Sequence, residues 1–209
     1  MNFIDAEIRN STVIFKFLHL LLSKLKFIIL DKIHFMILVV SGTNRRNSKT
    51  NQVANIYCNL IKAEGMRCKL LSLENLPDAF LHPDNYDESN HEIELIQTEY
   101  INPASKFVFV IPEYHGDYPG VLKLFIDMID VKSGLKNKKA ALAGVADGRH
   151  GNVRGLGSLT GVLHHLNVFV LPYHVTISNL NKELDENGEL KSQPTLMRIQ
   201  NQVKQLIAL

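Results

Sequence analysis

The sequence predicts a doubly wound α/β fold: a five-stranded parallel sheet in the order 2-1-3-4-5, with helices on both faces. Three observations carry this. From Met36 onward, strand-like and helix-like segments alternate, which is the pattern of a parallel sheet covered by helices. The central strand, Phe107 to Ile111, is five consecutive β-branched or aromatic residues with no polar alternation, as in strands buried on both faces. The loops after the first, third and fourth strands are unusually rich in Gly, Asn, Ser, Thr and Arg, and this strand order gathers those three loops at one crevice.

The elements follow in order. Met36 to Val40 is the first strand, delivering the loop Ser41 to Thr50. A helix over Ser48 to Glu64 places Val53, Ile56, Tyr57, Leu60 and Ile61 on its inner stripe, and Gly65 ends it. Met66 to Leu73 alternates as the second strand; Glu74 to Asn90, with two prolines and several acidic residues, reads as a long surface connection. His91 to Asn102 is a helix, then comes the central strand, ended by Pro112. After Pro119-Gly120 the apolar residues Val121, Leu122, Leu124, Phe125, Met128 and Ile129 recur at helical spacing. Lys138 to Ala146 is the fourth strand, Asp147 to Gly155 its loop, and Leu156 to Leu166 the next helix. Val168 to Val170 is the last inner strand; a polar tail, Asn179 to Ser192, leads to a closing helix over Pro194 to Leu209.

Composition bounds the function. A chain of 209 residues with 45% apolar content supports one hydrophobic core, so residues 36–209 are expected to be one domain. A net charge of +2, with no basic run interleaved with aromatics, argues against nucleic acid as a partner. Residues 1–35 are set apart. Their apolar stretch is broken by Lys16, Lys24 and Lys26, so no membrane span is expected, and Asp5 and Glu7 argue against a signal peptide. The expectation is that Met36 is the functional start and that 1–35 is an extension outside the site; an amphipathic helix on a membrane or partner is the alternative. Cys58 and Cys68 fit reduced, buried thiols, which suits the cytoplasm.

The first loop carries hydroxyls, a guanidinium and helix-terminal amides in Thr43, Asn44, Arg45, Asn47, Ser48 and Thr50, a set that can converge on a phosphate. It has neither the Gly-Lys-Ser/Thr ending of a Walker loop nor a G-x-G-x-x-G pattern, and a capped polar turn with Ser48 as N-cap is its bland alternative. The central loop offers Glu113, Tyr114, His115 and Asp117 but no Ser or Cys nucleophile. His115 with Glu113 and Asp117 on one loop is the alternative metal-ligand set, and no metal is expected. His164 and His165, adjacent on a helix, point to different faces and make no ligand pair. In the third loop Gly148, Gly151 and Gly155 would let backbone approach a planar ligand, with Arg149 and Arg154 adding positive charge.

Gly42-Thr43-Asn44-Arg45-Arg46-Asn47-Ser48-Lys49-Thr50, followed by Pro112-Glu113-Tyr114-His115-Gly116-Asp117-Tyr118-Pro119-Gly120-Val121-Leu122-Lys123, resembles the NADPH-dependent FMN reductase family of flavodoxin-like quinone, azo-dye and chromate reductases. The resemblance runs from Met36 to the end. It implies FMN as cofactor with NADPH or NADH as reductant, and hydride passed through the flavin N5 to a small electron acceptor. It implies that Thr43, Arg45, Ser48 and Thr50 hold the FMN phosphate, that Pro112, Glu113, Tyr114 and His115 lie against the isoalloxazine, and that Asp147, Gly148 and Arg149 lie by its other side. A homodimer or homotetramer is implied as well. The family's usual Asn is His115 here, its usual Ser is Asp117, and the Asn and Trp common in the following helix are Leu124 and Met128. No catalytic acid or base is assigned, His115 being a candidate proton donor to a reduced quinone. A flavodoxin-like electron carrier and a flavin-free binding module are the other readings. Carriers are typically strongly acidic, which a pI near 8.5 does not match.

Overall fold

The computed structural model describes residues 36–81 and 90–209; the expectations placed on residues 1–35 lie outside the described residues. Six strands form one parallel sheet: β1 (Met36–Ser41), β2 (Arg67–Ser72), β3 (Ala104–Pro112), β4 (Lys139–Val145), β5 (Phe169–Val170) and β6 (Val175–Ile177). The order is β2-β1-β3-β4-β5, with β6 also pairing β4, so the predicted flavodoxin-like order holds.

Alternation along the strands builds two cores. Ile37, Val39, Val108 and Val110 pack under α1 (Lys49–Ala63) and α7 (Gln193–Ala208). Leu38, Val40, Phe107, Phe109 and Ile111 pack on the other face, against α3 (Gly120–Met128) and α5 (Val153–His165). The described elements are completed by α2 (His91–Ile96), which runs on into a π turn at Gln97–Ile101, α4 (Val131–Gly134) and α6 (Leu180–Glu183).

The structure corrects the sequence reading in four places. The segment after β2 is no mere surface connection: two 3-10 turns carry Leu73 and Phe80 into the core, and Phe80, 0% exposed, stacks on Phe125 at 6.1 Å. The last strand is two pieces on one edge. β5 pairs Lys139 and Ala140, β6 pairs Ala143 to Val145, and between them the outer chain carries two extra residues around Pro172, which has no N–H to give a ladder. The polar tail contains α6 and buries Leu180 and Leu184. Finally, α5 begins at Val153, so Arg154 and Gly155 belong to the helix and the third loop ends at Asn152. His164 and His165 are both exposed near the end of α5.

Candidate functional site

All three loops leave the sheet at its carboxyl edge, around the point between β1 and β3 where the strand order reverses. The first starts with Gly42, whose N–H donates to the Val110 carbonyl at 2.9 Å. Asn47 turns left-handed at φ 53°, and Ser48 caps α1, its Oγ accepting the Asn51 N–H at 3.2 Å. The bland reading of Ser48 is therefore correct as far as it goes. A left-handed residue ahead of a helix start makes the backbone concave, and the Lys49 and Thr50 amides of the first turn have no intrahelical acceptor. Arg45, Arg46 and Lys49 stand around that concavity. Such a cradle takes an anion.

The central loop is a two-residue hairpin turn. Tyr114 and Asp117 exchange backbone hydrogen bonds of 2.9 and 3.0 Å, with His115 at φ 52° and Gly116 at φ 82° between them, the signature of a type I′ turn. The Arg154 guanidinium lies against Gly116, where a Cβ would come within 2.3 Å of its Nη2. The turn suits the residue at 115: the left-handed region favours Asn and also admits His. His115→Asn is expected to change folding stability by about 0.5 kcal/mol or less, within the range of surface changes, and to leave FMN affinity unaltered. Thermal melting and flavin titration check this. In the same variant, an unmoved pH profile of turnover assigns His115 a backbone role only, and a shifted one assigns it proton donation. On this loop burial raises the Tyr118 phenol above its ordinary range, with Lys123 opposing.

Thr43 and Tyr114 join the two loops through a 2.7 Å hydrogen bond between their hydroxyls, and Thr43 Oγ1 accepts the Arg45 N–H at 3.2 Å. The third loop is tied to the segment after β6. Ala146 N–H donates to Ile177, Leu180 N–H to Ala146, and Asn179 N–H to Gly148, at 3.0, 3.1 and 3.2 Å. Asp147 Oδ1 accepts the Asn181 N–H at 2.9 Å, and the Arg149 carbonyl accepts from Ser178 Oγ at 2.8 Å. Asn152, buried and left-handed at φ 61°, caps α5 and reaches across to donate to the Pro112 carbonyl at 2.8 Å.

Between these loops lies a cavity of about 310 Å³ lined by residues 45–50, 112–114 and 145–147 with Leu180 and Asn181. The structure thus brings together Arg45, Ser48, Thr50, Pro112, Glu113, Tyr114 and Asp147 of the expected set. Thr43 is buried behind them, 1% exposed, linking loops and not lining the cavity. His115, Gly148 and Arg149 are exposed outside it. The expectation for the third-loop glycines is revised: Gly151 is packed against Thr176 and Ile177 of β6, and Gly155 against Asn152 and Tyr118. Gly148 alone of the three faces open space. Leu180 and Asn181 were missed. Asn181 accepts a hydrogen bond from Lys49 Nζ, so the tail closes one wall of the site. Among the described residues no three His, Cys, Asp or Glu side chains converge on a metal position.

The family model described as NADPH-dependent FMN reductase matches residues 35–182. Over 168 residues the chain is 27% identical to a 2-hydroxy-1,4-benzoquinone reductase of a Burkholderia species, covering 78% of this chain and 90% of that protein. Among solved structures, the flavoenzyme NAD(P)H:(acceptor) oxidoreductase FerB of Paracoccus denitrificans superposes with a TM-score of 0.68 at 19% identity, covering 83% of this chain and 96% of that one. The apo form of the NADH:FMN oxidoreductase EmoB gives 0.67 at 21% identity, over 84% and 90%. At these identities the superpositions speak for the fold.

Proposed function

The chain belongs to the NADPH-dependent FMN reductase family, an oxidoreductase family that uses FMN with NAD(P)H, and from that premise we propose that it reduces a small acceptor of the quinone class. The observation that carries the reading is the convergence, in one cavity at the reversal of strand order, of the first-loop anion cradle and the start of the central loop.

The residues fit the cofactor. Three cations, the Ser48 and Thr50 hydroxyls and the free amides of a helix start are the donor set a phosphomonoester dianion needs. When bound, FMN supplies the two-electron chemistry, accepting hydride from reduced nicotinamide and releasing it to the acceptor. The chain does the rest. Arg45, Ser48 and Thr50 bind the phosphate. Pro112 to His115, running from the end of β3 into the hairpin turn, offer a backbone shelf for the ring. Asp147 and Gly148 border the ring from the third loop, and Arg149 keeps positive charge at the rim. No side chain of this chain is assigned hydride transfer.

The 2-hydroxy-1,4-benzoquinone reductase relative supports a quinone as the acceptor. We further propose that residues 36–209 are the functional domain, with 1–35 an extension, that two or four copies assemble, and that the two unpaired thiols suit the cytoplasm. Purified protein reconstituted with FMN is expected to be yellow and to oxidise NADPH with benzoquinone and no partner protein, followed by loss of NADPH absorbance. A colourless protein that fails to retain FMN, or a flavin-loaded one that leaves NADPH untouched, contradicts the reading.

A further inference from the structure

Asn181 stands between two grooves. On one side is the cavity described above, which it lines together with Lys49, Asp147 and Leu180. On the other is an open groove that Lys49 and Asn181 share with Asp185, Glu186 and Lys191. The backbone at Asn181 is fixed. The Leu180 N–H donates to the Ala146 carbonyl at 3.1 Å, the Asn181 N–H donates to Asp147 Oδ1 at 2.9 Å, and the Leu180 side chain is buried in the apolar cluster under α1. The turn that follows docks on the same helix through Gly188, which packs against Gln52. Asp185 Oδ1 holds the shape of that turn, accepting the Asn187 and Glu189 N–H at 2.8 and 2.9 Å. From this fixed point the side-chain oxygen of Asn181 accepts a hydrogen bond from the Lys49 ammonium.

We propose that Asn181 is a positioning residue for the flavin phosphate: its amide oxygen holds the Lys49 ammonium at the cradle without neutralising it. The inference rests on the FMN reading of the cavity. Lys49 is the first residue of α1, so its charge enters beside the Ser48 cap and the free amides of the first turn, where the anion is expected. A lysine ammonium is a point charge on a flexible stem, and carboxylates stand on both sides of this one. Asp147 lines the cavity with it, and Asp185 and Glu186 line the outer groove with it. Pairing with any of them would cancel the charge the phosphate needs. An amide oxygen instead takes one of the three ammonium N–H donors through its dipole, orders the stem, and leaves two donors and the full charge for the anion. The Asn181 backbone acts in the same direction, because its N–H gives the Asp147 carboxylate a partner other than the lysine.

The test titrates the purified full chain and its variants with FMN and with riboflavin by fluorescence quenching. Asn181→Ala is expected to weaken FMN binding about three- to fivefold and to leave riboflavin binding unaltered, the size of effect that an exposed charge contact supports. Lys49→Met is expected to weaken FMN binding by at least as much. Adding Asn181→Ala to Lys49→Met is expected to weaken it no further, because Asn181 acts through Lys49. Asn181→Asp keeps the shape and turns the contact into an ion pair, so it is expected to lower FMN affinity more than Asn181→Ala does. Equal weakening of FMN and riboflavin in Asn181→Ala would make the residue a wall of the site only and overturn the proposal, as would effects of Asn181→Ala and Lys49→Met that add. A wild type that binds both flavins equally contradicts the phosphate reading of the cavity and this inference with it. A wild-type preference for FMN that survives Asn181→Ala intact leaves that reading standing and overturns this inference alone.

Discussion

Replacing Gln202 with Leu is expected to cost about 3–5 kcal/mol of folding stability, the range for orphaning several buried polar groups at once. Gln202 is 0% exposed in the apolar stripe of α7, between Ile199 and Leu206. Its Nε2 donates to the Leu142 carbonyl at 2.9 Å and to the Tyr173 carbonyl at 2.7 Å, and its Oε1 accepts from the Tyr57 hydroxyl at 2.6 Å. One side chain thereby pins α7 to β4, to the interrupted edge between β5 and β6, and to α1. Burial keeps the Tyr57 phenol far above its ordinary range, so it stays a neutral donor. Leu fills the volume but strands a hydroxyl and leaves two carbonyls without this donor. Tyr57→Phe alone removes one hydrogen bond, about 1 kcal/mol. In the Gln202→Leu background the same change deletes an orphan and is expected to cost less than it does in the wild type. Denaturant unfolding of the four proteins, with unchanged dependence on denaturant concentration, reads the effect as a coupling.

Asn152→Ala is expected to destabilise by about 2–4 kcal/mol and also to weaken FMN binding. Three costs combine. Alanine is strained at φ 61° by about 1 kcal/mol, the helix cap is worth about 1, and the Pro112 carbonyl loses a buried donor. Asn152→Gly relieves the strain without restoring the hydrogen bonds, so relative to Asn152→Ala it is expected to recover about 1 kcal/mol of stability and none of the lost affinity. The affinity loss follows from position. The Asn152 side chain fixes the end of β3, where the shelf at Pro112 to His115 begins, to the start of α5. Flavin titration of both variants separates the anchoring role from the backbone one. Equal affinity in wild type and Asn152→Gly would show that the shelf holds without its anchor.

How much of this was legible in the sequence differs by element. β1 and β3 are long apolar runs buried on both faces, so the sheet, its order and the cradle between a strand end and a capped helix could be read directly. The type I′ turn was harder to see, because His115-Gly116 is not the usual Asn-Gly, yet the backbone angles are those that pair demands. Phe80 was missed because a 3-10 turn has no periodicity, and its neighbours Pro77, Asp78 and Leu81 read as surface. β6 was missed because three residues, Val175 to Ile177, are too few to alternate and Pro172 cuts the strand before them. Asn181 entered the site from a stretch that is polar in composition; only the pairing of its N–H with Asp147, 34 residues earlier, brings it there. Gln202 looked like one polar residue on an amphipathic helix. Its partners lie up to 145 positions away, a distance at which local pattern carries no signal.

The central claim is that the cradle at Arg45, Ser48 and Thr50 exists for a phosphate. Comparing FMN with riboflavin, which has the same ring and ribityl chain without the phosphate, tests it most directly by fluorescence-quench titration of the purified chain. With charge-assisted hydrogen bonds worth about 1.5–3 kcal/mol each, FMN is expected to bind at least about 100-fold more tightly, and Arg45→Ala is expected to narrow that gap by about tenfold or more. Equal affinities for FMN and riboflavin, or an Arg45→Ala variant that keeps the full gap, would contradict it.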